Sequence, residues 1–209
     1  MKVVFYDLVK RGIDISLALI LLVLFLPFWV IVPILIRLDS PGPIIYRHKR
    51  VGKNGKPFHM YKFRSMVDGA DEYLYFKNPH LLKRFKRGDW KLERDPRITS
   101  LGRVLRSLTI DEFPQLINVI KGEMSLVGPR AYVTDELTEQ PRRYPETKKF
   151  IRDILRIKPG ITGPWQTSGR NIIPFDQRAK LDAQYARQKS IIKDIIIILK
   201  TPRAMLSKW

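Results

Sequence analysis

The feature that most constrains this chain is a run of 22 residues without a charge, Ile15 to Ile36 (ISLALILLVLFLPFWVIVPILI). At about 1.5 Å per helical residue, such a run reaches across a ~30 Å hydrocarbon layer. A cleaved leader is the weaker reading. The run is longer than a signal-peptide core, and RLDSPGP follows it where a small-residue cleavage site would stand. Lys2, Lys10 and Arg11 precede it; Arg37, Arg47, Lys49, Arg50, Lys53 and Lys56 follow it. Cations favour the cytoplasmic side of a membrane, and here both flanks carry them. Pro27 lies near the midpoint, where it removes a backbone hydrogen bond and bends a helix. Two arrangements satisfy these facts equally: a straight span oriented by its stronger C-terminal flank, or a bent helix that enters and leaves by one face. Either one is expected to leave residues from Arg37 onward in the cytoplasm.

The chain is strongly basic, with 39 Lys and Arg against 20 Asp and Glu and a formal net charge of +19. That surplus implies polyanionic company: nucleic acid, an anionic membrane surface or a phosphorylated substrate. Cysteine is absent, which excludes a disulfide framework, a thiol nucleophile and a cysteine metal site. His48, His59 and His80 have no zinc-type spacing. The length suits one domain with an appended segment, read as residues 1–40 in the membrane and 41–209 as a membrane-associated domain.

DSPGP at Asp39–Pro43 is a turn that ends the apolar segment. Two β-rich runs then flank Asn54-Gly55, a hairpin signal. In the second run Phe58, Met60, Lys62 and Arg64 alternate onto one face, so Lys62 and Arg64 are expected to point together; a solvated strand edge is the plain alternative. Val67 to Arg94 is charged, aromatic and mostly helical in pattern, a surface or interface segment. TSLGRVLRSL and FPQLINVIK read as two helices, the second stopped by Gly122. SLVGPRAY and KPGITGPWQTSGRN are turn-rich loops. A helix is expected around Phe175–Gln188. IIKDIIIILK after it is too short to span a bilayer and reads as a buried or interfacial helix.

Asp111-Glu112 stands out in so basic a chain. Thr109-Ile110-Asp111-Glu112 fits a Thr-x-x-Glu capping box, and Asp111 itself is a good helix N-cap with Pro114 at the third helical position. The same geometry allows chemistry. A carboxylate at a helix start is held ionised by the dipole and free N–H groups. Two adjacent carboxylates, with Arg103 and Arg106 upstream, can bind a hard cation beside a phosphate, and an ionised Asp can attack phosphorus. Asp135-Glu136 has the same composition, so context has to decide between the pairs.

That context is a set of motifs. KRGIDI, DSPGPIIYRHKRVGKNGKPFHMYKFRSM, RSLTIDEFPQLINVIKGEMSLVGPR and KPGITGPWQTSGRN, in this order, resemble the bacterial sugar transferases, the monotopic phosphoglycosyl transferases. The resemblance runs from about Lys10 to Thr201, and no GxGxxG or P-loop competes with it. It implies transfer of a sugar-1-phosphate from a UDP-sugar to undecaprenyl phosphate, with release of UMP. Asp111 is then the nucleophile, and Glu112, with Asp111, holds Mg²⁺. Lys62, Arg106, Arg130 and Arg170 match phosphate-binding cations, and Arg64 joins them as a candidate. Gln166 and Asn171 lie in a nucleotide-sugar contact region. The resemblance also turns the balance towards a re-entrant helix kinked at Pro27.

The implied fold is α+β and mostly helical: a small catalytic domain with a β-hairpin and interfacial amphipathic helices, on the cytoplasmic face of the bacterial inner membrane. Inner-membrane lipid is then a partner and nucleic acid is not; a homo-oligomer is compatible with the sequence. Leu26, Ala131 and Thr167 depart from the family pattern, where Ser, Pro and Val are usual, and YARQKS lacks the usual Trp. None of these is a proposed catalytic group. Two rivals remain: a basic adaptor without enzymatic activity that binds anionic lipid or nucleic acid, and a transferase without a covalent intermediate.

Overall fold

The computed structural model describes residues 2–169 and 173–205, with side chains from Phe5 onward. The apolar run lies in two helices, α1 (Lys2–Leu24) and α2 (Leu26–Asp39), bent by 62° at Phe25. Among the described residues no single helix is long and apolar enough to cross a membrane; only the bent pair is. The break precedes Pro27, which sits in the first turn of α2, where its missing N–H costs nothing. Proline therefore starts the second helix and does not kink a continuous one.

Both ends of the pair are fastened to the same body. On α1, Arg11 donates to the carbonyls of Val119 (2.6 Å) and Ile120 (2.7 Å). Asp14, 4 % exposed, accepts from Ser125 Oγ (2.7 Å) and the Leu126 N–H (3.0 Å). Beyond Asp14 the pair leaves Ile20, Val23, Leu24, Leu26, Val30 and Ile34 more than half exposed. So long an apolar surface marks a site of membrane or protein contact.

The hairpin pairs β1 (Ile45–Val51) with β2 (Pro57–Phe63), Ile45 opposite Phe63 and Val51 opposite Pro57. Its turn is Lys53–Gly55, where Asn54 and Gly55 both take positive φ (58° and 75°). After it come α3 (Ala70–Glu72), a π-helical turn at Tyr73–Lys77 and α4 (Pro79–Arg87), which the Asn78 side chain caps at the Leu81 N–H (2.9 Å). Then follow α5 (Ser100–Ser107), α6 (Gln115–Lys121), β3 (Ser125–Val127), α7 (Thr134–Arg143) and α8 (Lys148–Ile154). The chain continues through β4 (Gly160–Thr162), α9 (Pro164–Thr167), α10 (Phe175–Gln188) and α11 (Ile191–Met205).

The largest core joins Ala18 of α1 to Phe58 and Met60 of β2, Leu116 and Val119 of α6, and Ile197 of α11. A second core gathers Val32 and Ile36 of α2 with Phe63 and Leu105. Each such side chain contributes roughly 1.5–3 kcal/mol when fully buried, so both halves of the bent pair are structural parts of the domain. Helix α11 turns Ile192 and Leu199 outward (71 % and 74 % exposed) and buries Asp194, which accepts from Tyr6 Oη (3.0 Å), Lys10 Nζ (2.9 Å) and Tyr185 Oη. The outer face of α11 is thus apolar, and its acid is answered inside the domain.

β3 and β4 pair in parallel, and this joins the two turn-rich loops of the sequence. The pairing needs bare backbone: a Cβ on Gly160 would stand 2.1 Å from the Gly128 nitrogen, and one on Gly128 2.7 Å from the Gly160 nitrogen.

Candidate active site

Thr109 takes a left-handed backbone (φ 59°), and a 3-10 turn, Ile110–Glu112, follows it. The capping reading is corrected here. Neither Thr109 nor Asp111 caps a helix: α6 begins at Gln115 after Pro114, without a side-chain cap. The reason is a series of tight backbone bonds, Phe113 N–H to Ile110 O, Leu116 N–H to Phe113 O and Ile117 N–H to Pro114 O, which already serve the N–H groups at the helix start. Asp111 is thus left for another purpose.

Hydrophobic neighbours hold the turn in place. The Phe113 ring lies 4.5 Å from Phe25 and 5.8 Å from Phe28, so the acidic turn packs against the break between α1 and α2. Asp111 is 2 % exposed and its Oδ1 has no hydrogen-bond partner. Its Oδ2 lies 3.9 Å from Lys62 Nζ, which donates to Glu112 Oε1 at 2.7 Å. Burial raises the Asp111 carboxyl to about 6, with Lys62 and then Arg106 pulling it down and Glu112 pushing it up. Burial likewise lowers Arg106, against the opposing field of Asp111. Arg106 is positioned by its Nε–H donating to Ser65 Oγ (2.9 Å). That contact depends on Gly102, where a Cβ would meet the Ser65 carbonyl oxygen at 1.9 Å.

The predicted cations therefore separate. Lys62 and Arg106 flank the acidic pair. Arg64 does not join them: 6 % exposed, it donates to the carbonyls of Ile36 (3.2 Å) and Ser40 and to Ser40 Oγ (3.0 Å). β2 ends at Phe63, and beyond it the guanidinium closes the C-terminal end of α2, a favourable place for a cation. Arg130 and Gln166 belong to a second cluster around Trp165. Arg130 Cζ is 5.1 Å from the Trp165 ring centroid, and Gln166 Nε2 donates to the Ile161 carbonyl (3.3 Å). Arg170 and Asn171 lie outside the described residues.

Sequence reasoning missed four residues here. Arg178 of α10 is fully buried, with Nη1 3.5 Å from Oε1 of the fully buried Glu136. Arg50 donates to the Ala131 carbonyl (2.8 Å); burial and Arg130 lower its guanidinium to about 10. Lys91 lies 5.6 Å from the Trp165 centroid. A signal was present for Arg178: Phe175, Ala179 and Ala183 form a helical apolar face, and Arg178 and Asp182 fall within it.

Among the described residues no three His, Cys, Asp or Glu side chains gather as a metal cage. The acidic pair nonetheless fits Mg²⁺, which takes one or two carboxylates and completes its shell with water and substrate phosphate. The buried, unpartnered Asp111 Oδ1 beside Glu112 is the observation that fits it.

The sequence pattern of the bacterial sugar transferase family matches residues 5–208, and the chain belongs to that family. Among similar proteins is the exopolysaccharide production protein ExoY of Rhizobium meliloti (strain 1021), 41 % identical over 203 residues, which cover 95 % of this chain and 86 % of that protein. The undecaprenyl-phosphate galactose phosphotransferase of Salmonella typhimurium is 41 % identical over 201 residues, 95 % of this chain but only 40 % of that longer protein. The UDP-glucose:undecaprenyl-phosphate glucose-1-phosphate transferase of Caulobacter vibrioides is 35 % identical over 209 residues, 96 % of this chain and 71 % of that protein.

Proposed function

We propose that this chain is a phosphoglycosyl transferase that moves a sugar-1-phosphate from a UDP-sugar to undecaprenyl phosphate. The observation that carries the reading is the buried Asp111 carboxylate with an unpartnered oxygen, 3.9 Å from Lys62 and in the field of Arg106. A carboxylate oxygen of Asp111 forms a bond to the sugar-linked phosphorus. The diphosphate O–P bond breaks, and its electron pair leaves on UMP. A phosphate oxygen of the polyprenol then attacks the same phosphorus, and the Asp111–phosphorus bond breaks to restore the carboxylate. Lys62 and Arg106 neutralise the phosphate charge that builds up during transfer. Glu112 and Asp111 are the residues that would hold Mg²⁺. When bound, the ion supplies charge neutralisation at the diphosphate.

The bent pair is read as a re-entrant anchor on the cytoplasmic face of the inner membrane. Its two ends are fastened to one domain, and its break touches the acidic turn. This sets the nucleophile at the boundary where a soluble nucleotide sugar meets a lipid phosphate. Cysteines at positions 2 and 47 are expected to be labelled from the same side of sealed vesicles; labelling from opposite sides would reject the anchor.

The decisive experiment for the chemistry is a mass measurement. Protein incubated with a UDP-sugar and no acceptor should gain one sugar-phosphate, on the peptide that carries Asp111. Normal turnover with acceptor, but no adduct under any donor, would point to direct transfer. Screening UDP-sugars for UMP release would identify the sugar.

A further inference from the structure

The face of the hairpin beside the acidic turn carries a row of side chains that the proposed chemistry leaves unused. Side chains alternate along a strand, so Tyr46, His48 and Arg50 of β1 share one face. Tyr46 stands directly opposite Lys62, and His48 opposite Met60. Lys62 in turn reaches Glu112 at 2.7 Å and Asp111 at 3.9 Å. His48 is therefore the diagonal neighbour of Lys62, about 7–8 Å away across the strand pair. Strand register and direct contact tie this row to the acidic turn.

The row is fastened at both ends. Tyr46 Oη donates to the Asp71 carboxylate, and the Tyr46 ring lies 5.3 Å from the His48 ring. Arg50 donates to the Ala131 carbonyl (2.8 Å), and its Nη2 stands 3.0 Å from His48 Nδ1. A guanidinium can only donate, so Nδ1 accepts and the ring proton sits on Nε2. Burial, then Arg50, Lys62 and Arg130, hold the imidazole well below its usual range, which keeps it neutral. His48 is partly open to solvent, and the bond from Arg50 is the one hydrogen bond of its ring among the described residues. The Nε2–H is thus a fixed, neutral and unanswered donor.

A neutral donor set among cations is a poor ligand for phosphate and a good one for an uncharged oxygen. At the turn, Lys62 and Arg106 already answer phosphate charge. The group carried by that phosphate is a sugar, whose oxygens are uncharged. On the reading that Asp111 attacks the sugar-linked phosphorus, we propose that His48 recognises the sugar of the donor. Its Nε2–H donates to a hydroxyl or acetamido oxygen of the hexose, and Arg50 is the positioning residue that fixes the ring. A site that hydrogen-bonds a substrate oxygen discriminates against a sugar that presents none there, because the donor is then left unpaired.

The test is calorimetric titration into detergent-solubilised Asp111→Asn protein, which needs no turnover. The ligands are UDP-glucose, UDP-galactose, UDP-N-acetylglucosamine and UDP-N-acetylgalactosamine, with UDP as the reference that lacks a sugar. For the UDP-sugar that binds most tightly, His48→Met should weaken affinity by about tenfold, the scale of one lost hydrogen bond. UDP affinity should stay within about threefold, because Lys62 and Arg106 are untouched. His48→Gln should also stay within about threefold of its parent for the sugar, since its amide can accept from Arg50 and still donate. His48→Ala serves if the Met variant does not fold. Unchanged UDP-sugar affinity in the folded Met or Ala variant, or an equal loss for UDP and the UDP-sugar, would overturn the proposal. So would a folded parent that binds no UDP-sugar. The outcomes are separable: a normal Asp111 adduct with His48-independent binding of the sugar rejects only this assignment. His48-dependent binding without any adduct supports it and rejects the covalent reading.

Discussion

Asp111-Glu112 and Asp135-Glu136 are the same dipeptide used in opposite ways. In the first, Asp111 is buried and Glu112 partly open, on a 3-10 turn against the helix break. In the second the roles reverse: Asp135 is exposed in the first turn of α7, and Glu136 is fully buried opposite Arg178 and Arg130. A third pair, Asp71-Glu72 on α3, is exposed at both residues. The buried acid of the first pair has a lysine at 3.9 Å and one oxygen without a hydrogen bond; in the second neither Glu136 oxygen is hydrogen-bonded, and two guanidinium groups stand at 3.5 and 4.0 Å. The difference lies in the cations: one flexible ammonium faces the first acid, whereas two guanidinium groups, one of them fully buried, face the second.

Substitutions can break this contrast, and the largest effect is expected at Asp111. Asp111→Asn should lower UMP release by on the order of a thousandfold or more, as loss of a nucleophile does, while the protein stays folded. Stability should even rise. The folded carboxyl, raised to about 6, retains a proton that the unfolded chain has already lost. Wild type therefore loses stability as pH rises from about 4 to about 6, and remains lower above that window. With chelator present, the Asn variant should lack this slope and exceed wild type at pH 8 by on the order of 1–3 kcal/mol. A less stable or fully active Asn variant would return Asp111 to a structural role.

Glu136→Gln should do the reverse. It leaves Arg178 buried without its anion and should cost about 2–4 kcal/mol in denaturant unfolding; a variant as stable as wild type would remove the distinction between the pairs. Glu112→Gln is expected to reduce turnover by roughly 10–100-fold, with part of the loss recovered at high Mg²⁺, because one carboxylate of a weak site is gone. The smallest effect belongs to Asp135→Asn, within about 0.5 kcal/mol in stability and without change in turnover.

How much of this was legible depended on sequence distance. The hairpin followed from Asn54-Gly55, where both residues take the positive φ that the turn demands. Gly122 ends α6 in the left-handed region, and α10 occupies Phe175–Gln188 as its pattern suggested. These are local matters of backbone preference. The strand position of Lys62 was also legible by alternation, and the structure brings that residue beside Asp111 and Glu112. Arg64 was misjudged because alternation along a strand ignores where the strand ends. Thr109 was misjudged because a capping box and a left-handed turn share the same letters. Lys91, Glu136 and Arg178 were invisible as a group because their meeting point depends on contacts between distant segments: Asp89 with Phe175, and Glu136 with Arg178.

The crossing of Gly128 and Gly160 has a further consequence. When a side chain becomes too large for its place, evolution can usually trim the neighbour it strikes. Here the neighbours are main-chain atoms, the Gly128 nitrogen on one side and the Gly160 nitrogen and Lys158 carbonyl on the other. No second-site change at the contact can relieve an alanine at Gly160, because nothing smaller than glycine exists. The two loops that carry Arg130 and Trp165 are therefore tied together at one point: neither can acquire bulk at the crossing, and any variation between them has to arise in the side chains around it.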